Sequence, residues 1–191
     1  RPTARATAKS SDSNGSRRRT AFTVKTTRTS STTVCMTSIP KRRVPRWNCV
    51  VEIWQPDANG HFNHPNDRQQ AKADPNFMGW GRRSSDDAGW YDFITVKPGG
   101  YADPLTGLQR APHINIAIMS SGLMRRLVTT LFFPDQPANA QDPVLNAISD
   151  AALRERLILR PAKLERAPKD AIAYRMDIVL QGDGETPFFV D

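Results

Sequence analysis

The stretch HINIAIM, residues His113 to Met119, decides the fold. Side chains on a strand alternate between two faces, so Ile114, Ile116 and Ile118 point one way and His113, Asn115, Ala117 and Met119 the other. Three β-branched residues on one side predict a strand packed on a core. The opposite side carries an imidazole and a carboxamide two positions apart, facing either solvent or a cavity.

Outward from this strand the same pattern recurs. CVVEIWQ (49–55), WYDFITVKPGG (90–100), RLVTTLFF (126–133), YRMDIVL (174–180) and TPFFVD (186–191) read as further strands. They are separated by stretches dense in turn formers, PDANGHFNHPND (56–67) and DPNFMGWGRRSSDDAG (74–89), both read as loops. One helical segment is expected near 142–158. Asp142 is its N-cap, Pro143 its first residue, and Leu145, Ile148, Leu153, Leu157 and Ile158 its apolar stripe. Six short strands with long polar connections predict an all-β protein, an antiparallel β-sandwich. The aromatic residues Trp80, Trp90, Phe132, Phe133, Phe188 and Phe189 suit either the core or an interface.

The net charge of +8 suggests nucleic acid as a partner, but its distribution argues against that. Residues 1–47 hold twelve Lys/Arg and one acid, Asp12, a surplus of eleven; residues 48–191 hold fifteen Lys/Arg and eighteen acids, a deficit of three. The first segment is rich in Ser, Thr and Arg and lacks a sustained period. It reads as a disordered basic tail, or as the product of a shifted reading frame, ahead of one domain at 48–191. Only Phe22 precedes Trp47, too little aromatic content to stack bases, so no nucleic-acid partner is expected. No run of 18 apolar residues exists and no leader pattern is visible, so a soluble cytoplasmic protein with no membrane contact is expected. Cys35 and Cys49 fit neither a metal spacing nor a disulfide framework.

The candidate site gathers around the deciding strand. Arg110 lies three residues before His113, and Tyr101 twelve before it, just after the KPGG turn. A guanidinium, a phenol and an imidazole suit a carboxylated aromatic acid. The same residues also read as a surface charge, a half-buried tyrosine and a hydrogen-bonded histidine. His61 and His64, with no third partner, read as solvated loop residues.

Five segments occur in order and carry a family resemblance: VVEIWQPDANGHFNHPND, DPNFMGWGR, WYDFITVKPG, QRAPHINIAI and AYRMDIVLQGDGETPFF. Together, over residues 49–191, they resemble the intradiol ring-cleaving dioxygenases, and within them the protocatechuate 3,4-dioxygenases. The resemblance implies a β-sandwich and homologous alpha and beta chains. It also implies an Fe(III) site of two tyrosines and two histidines in the beta chain, phenolate being a hard anionic donor suited to a hard trivalent cation. The implied reaction opens protocatechuate with O2 to 3-carboxy-cis,cis-muconate.

Matched by segment, the four ligand positions fall on Phe62, Tyr101, His113 and Asn115, and the arginine beside the histidine strand falls on Arg110. Two of the four, Phe62 and Asn115, carry neither a phenol nor an imidazole. The resemblance therefore implies an alpha-type chain with a vestigial metal pocket. Such a chain holds no metal or cofactor of its own, is inactive alone, and contributes to a site shared with an iron-bearing beta partner. Arg125 and Arg126 are further candidates for partner or substrate contact. Residues 1–47 contain nothing like the TPSQTVGPYF stretch of alpha chains. Two other readings stand beside this one: a self-sufficient intradiol dioxygenase with a rearranged ferric site, and a sandwich that uses its basic tail on nucleic acid.

Overall fold

The computed structural model describes the backbone of residues 33–38 and residues 49–87, 89–163, 167–168 and 171–189. Ten strands and two short helices follow in chain order. They are β1 (Thr33–Ser38), β2 (Val50–Trp54), β3 (Trp80–Ser84), β4 (Tyr91–Val96), β5 (Tyr101–Ala102), β6 (Gln109–Arg110), β7 (His113–Met119), β8 (Leu127–Phe132), α1 (Pro143–Ala147), α2 (Ala151–Glu155), β9 (Arg160–Pro161) and β10 (Ile172–Arg175). One four-stranded sheet runs β4-β1-β10-β9 and a second runs β3-β2-β7-β8, with β5 and β6 forming a separate ribbon. Every pairing between these strands is antiparallel except β1 with β10, and an isolated parallel bridge joins Phe132 to Ile158. The expected all-β architecture is the one observed.

The two sheets enclose one apolar layer. Val51 and Ile53 of β2, the three isoleucines of β7 and Leu131 of β8 meet Tyr91, Phe93, Tyr174, Met176 and Ile178 from the other side. The alternation read from HINIAIM holds: Ile114, Ile116 and Ile118 are buried at 0–3% exposure. Buried Gln55 ties the ends of the layers, donating from Nε2 to the Val96 carbonyl (2.9 Å) and accepting from the Thr95 hydroxyl (2.9 Å). Those bonds satisfy an amide whose unpaired burial costs about 1–3 kcal/mol. Of the six aromatics left open, Phe132 and Phe133 are fully buried and Phe188 and Phe189 partly so, whereas Trp80 and Trp90 stay more than a third exposed.

Several boundaries differ from the sequence reading, each for a physical reason. β3 lies inside the 74–89 stretch that reads as loop. Its core-facing position is Gly81, against which the Phe93 ring packs, so no apolar alternation marks the strand. β1 lies inside the segment read as a basic tail, and the rest of 1–47 is outside the described residues. The 174–180 run pairs only as far as Arg175, yet Tyr174, Met176 and Ile178 keep burying alternate side chains. The 186–191 strand is reduced, among described residues, to one bridge at Phe189. Pro187, which lacks an amide proton, immediately precedes that pair of phenylalanines. The helical segment is two helices, because Asp150 starts a new turn by accepting from the Ala152 amide (2.8 Å). Among the described residues no helix is long and apolar enough to cross a membrane.

Carboxylates fold the long loop after β2. Asp57 is buried and accepts from the amides of Asn59, His61 and Asp74 (2.8–3.0 Å), while Asp67 accepts from those of Phe62 and Gln69. This delivers Phe62 to the ribbon side of the second sheet. Gly60, at φ 85°, lies so close to the 97–100 turn that a Cβ there would collide with the Gly100 carbonyl oxygen. Gly60→Ala is therefore expected to destabilise the protein by on the order of 2–4 kcal/mol, combining left-handed strain with a backbone clash. Chemical denaturation measures this; a variant within ~0.5 kcal/mol of the parent, the scale of a neutral surface change, would contradict the close approach.

Candidate functional site

The inward turn of the isoleucines leaves His113 and Asn115 on the outer face of the second sheet. That face is covered at its β7 N-terminal end by the β5–β6 ribbon, by α1 and by the loop carrying Phe62. Ribbon register places Tyr101 directly opposite Arg110, so both side chains share one face of the ribbon. The structure thus brings together Phe62, Tyr101, Arg110, His113 and Asn115.

The aromatic groups form a continuous wall. Phe62 stacks on Trp54 (centroids 5.8 Å apart, planes at 11°) and meets Tyr101 edge-on at 5.1 Å. Tyr101 lies 5.5 Å from His113, whose other side meets Phe132 at 5.6 Å. His64 closes the far end edge-on to Trp54, and its Nδ1 accepts from the Asn66 amide. His61 takes part through its backbone amide, which donates to Asp57.

Polar partners fix the ionic state of the pair at the centre. The Nδ1 of His113 is 2.6 Å from the Ala111 carbonyl oxygen. A carbonyl only accepts, so Nδ1 carries the proton and Nε2 presents its lone pair. The Tyr101 hydroxyl lies 3.4 Å from that Nε2, at the long limit of a hydrogen bond, and is its donor. Burial, and then the Arg110 charge, push the His113 imidazole down to about 4, so it is neutral near pH 7. Burial raises the Tyr101 phenol, with Arg110 opposing, so the phenol stays protonated. Asn115 is occupied: its Oδ1 accepts from the Thr130 hydroxyl across the β7–β8 pair (2.9 Å).

Arg110 is nine-tenths buried and its Nε donates to the Asp142 carboxylate at 2.9 Å; its Nη2 has no hydrogen-bond partner among the described residues. Asp142 was legible in the sequence only as the N-cap of α1. Its contact with Arg110, and the wall residues Trp54, Thr130 and Phe132, left no local signal. Arg125 and Arg126 are exposed and follow the C-terminal end of β7, about 20 Å of strand away from His113. The structure does not bring them into this site. No cluster of three or more His, Cys, Asp or Glu forms among the described residues.

The depressed His113 value has a thermodynamic consequence. The unfolded imidazole takes up its proton near pH 6.5 and the folded one only near pH 4. Between those values the unfolded state binds more protons, so stability falls as pH drops through the window and gains nothing above it. The full loss is about 3 kcal/mol. Denaturant midpoints measured from pH 8 to pH 4 are expected to show this slope, and His113→Gln is expected to remove that part of it.

Comparison with known proteins identifies the family. The family model described as Dioxygenase matches residues 39–182. The protocatechuate 3,4-dioxygenase beta chain of Burkholderia cepacia is 39% identical over 144 residues, 75% of this chain and 61% of that one. The alpha chain of the Pseudomonas putida protocatechuate 3,4-dioxygenase is 40% identical over 141 residues, 73% of this chain and 65% of that one. This chain therefore spans a little under two thirds of the length of either relative. The dioxygenase domain of a dioxygenase–carbohydrate-binding fusion from Streptomyces sp. SirexAA-E superposes with a TM-score of 0.59 at 21% identity, covering 88% of both chains, a likeness of fold. With its sandwich, its matched segment and these relatives, the chain belongs to the intradiol dioxygenase family.

Proposed function

We propose that this chain is the alpha-type, non-iron-binding subunit of a cytoplasmic protocatechuate 3,4-dioxygenase. In this reading it completes, at an interface with a homologous beta chain, the site at which protocatechuate is opened by O2 to 3-carboxy-cis,cis-muconate. Identity does not separate alpha from beta, since one relative of each kind matches at 40% and 39%. The reading rests instead on the donor set.

The carrying observation is how each of the four ligand positions is used. Phe62 fills its place with a ring that has no donor atom and is stacked on Trp54. Asn115 offers a neutral amide whose oxygen already accepts from Thr130. Tyr101 and His113 turn toward one another. A ferric ion needs anionic oxygen donors, and this set supplies at most one phenolate, from a phenol that burial keeps protonated. The residues do not fit the ion. The chain's contribution is a wall, made of a half-buried aromatic surface and the buried Arg110 charge; apart from that wall, the exposed Arg125 and Arg126 are candidates for partner contact. The free thiol of Cys49 suits a reducing compartment.

Two experiments test this. The chain purified alone is expected to hold no tightly bound iron, and ring cleavage is expected only when it is co-expressed with a beta chain. Stoichiometric iron with tyrosinate charge-transfer colour in the lone chain would instead establish the self-sufficient reading. Second, the Phe62→Tyr/Asn115→His double variant is expected to take up Fe(III) and show that colour, with each single variant at least tenfold weaker, since losing one good ligand typically costs more than one decade of affinity. A colourless double variant that is folded and iron-free would refute the donor-set argument.

A further inference from the structure

Asp142 is completely buried and accepts four hydrogen bonds from two directions. Its Oδ1 takes the amides of Val144 (2.9 Å) and Leu145 (3.3 Å), which is the ordinary work of a helix N-cap. Its Oδ2 takes the Ala111 amide (2.9 Å) and the Arg110 Nε (2.9 Å), neither of which α1 requires. The chain contains its own comparison. Asp150 caps α2 from an exposed position with a single bond to Ala152. Capping alone therefore needs no buried carboxylate, and burying one is costly unless it is paired and hydrogen-bonded.

The second pair of bonds leads into the pocket. Ala111, 1% exposed, is held at its amide by Asp142, and its carbonyl accepts the Nδ1 proton of His113. Arg110 is held at Nε, so its buried Nη2 is kept on the ribbon face it shares with Tyr101. We propose that Asp142 is a positioning residue of this site: by anchoring Ala111 it fixes the Nδ1–H form of His113, and by gripping Arg110 it aims the guanidinium beside Tyr101. This goes beyond the subunit assignment and holds whichever chain carries the iron.

The test reads the tautomer directly. The full chain has three histidines, so labelling histidine with 15N gives three imidazoles to assign. At pH 7 the parent is expected to show His113 as a single tautomer protonated at Nδ1. Asp142→Asn alone leaves an unpaired buried guanidinium, so it is combined with Arg110→Met, which removes both charges while the asparagine still caps α1. In Arg110→Met/Asp142→Asn the single tautomer is expected to be lost and an Nε2–H population to appear. Tyr101→Phe, which removes only the bond at Nε2, is expected to keep the Nδ1–H form. A double variant that folds and retains the parent His113 signals overturns the proposal, as does a tautomer that Tyr101→Phe alone scrambles. The parent chain supplies an independent measurement that needs no variant: the Ala111 amide, bonded to a buried carboxylate, is expected to be among the slowest to exchange with solvent, and fast exchange there also overturns it.

Discussion

Everything in this domain depends on the direction in which β7 faces. With Ile114, Ile116 and Ile118 in the apolar layer, the two-residue period leaves His113 and Asn115 no choice but the outer face. A slip of one residue would drive the imidazole and the amide into the apolar layer and turn three isoleucines out of it, at a cost comparable to the marginal stability of a domain. The site is thus placed by the core. Ribbon, loop and helix then converge on a position that packing has already selected.

The converging parts are held by polar side chains acting on backbone. Asp57 and Asp67 fold the loop that brings Phe62, Gln55 ties the two sheets, and Asp142 joins α1 to the segment before β7. Asp57, Asp67 and Asp142 each accept from several backbone amides at once, while Gln55 bonds the Val96 carbonyl and the Thr95 hydroxyl, so each segment adopts one path. The pocket follows the same rule. The Asp142 carboxylate, the His113 Nδ1 and the Asn115 Oδ1 each have a partner, whereas Arg110 Nη2 has none among the described residues.

Periodicity made the sandwich legible wherever a strand shows the core an alternating apolar face, as β2, β4 and β7 do. It failed at β3, where the inward residue is a glycine filled from the opposite sheet by Phe93, and at β1, whose register is set by neighbours more than fifty residues away. The site was legible where sequence neighbours on one strand carry it, His113 and Asn115, and where a turn precedes it, Tyr101. Partnerships across the fold, Arg110 with Asp142 or Phe62 with Trp54, leave no trace in local spacing. Asp142 shows the limit well: its role as a cap was visible, and its hold on the pocket was not.

The place of β1 bears on how the chain assembles. It lies between β4 and β10 and, among the described residues, links them in that sheet. Its parallel register joins Val34 to Ile172, 138 positions along the chain by subtraction. Such a non-local pairing is slow to form, because a long loop must close before any contact repays it. The sheet cannot be finished until Ile172–Arg175 have been made, so the half that carries the pocket is free to organise first, with its partner layer docking late.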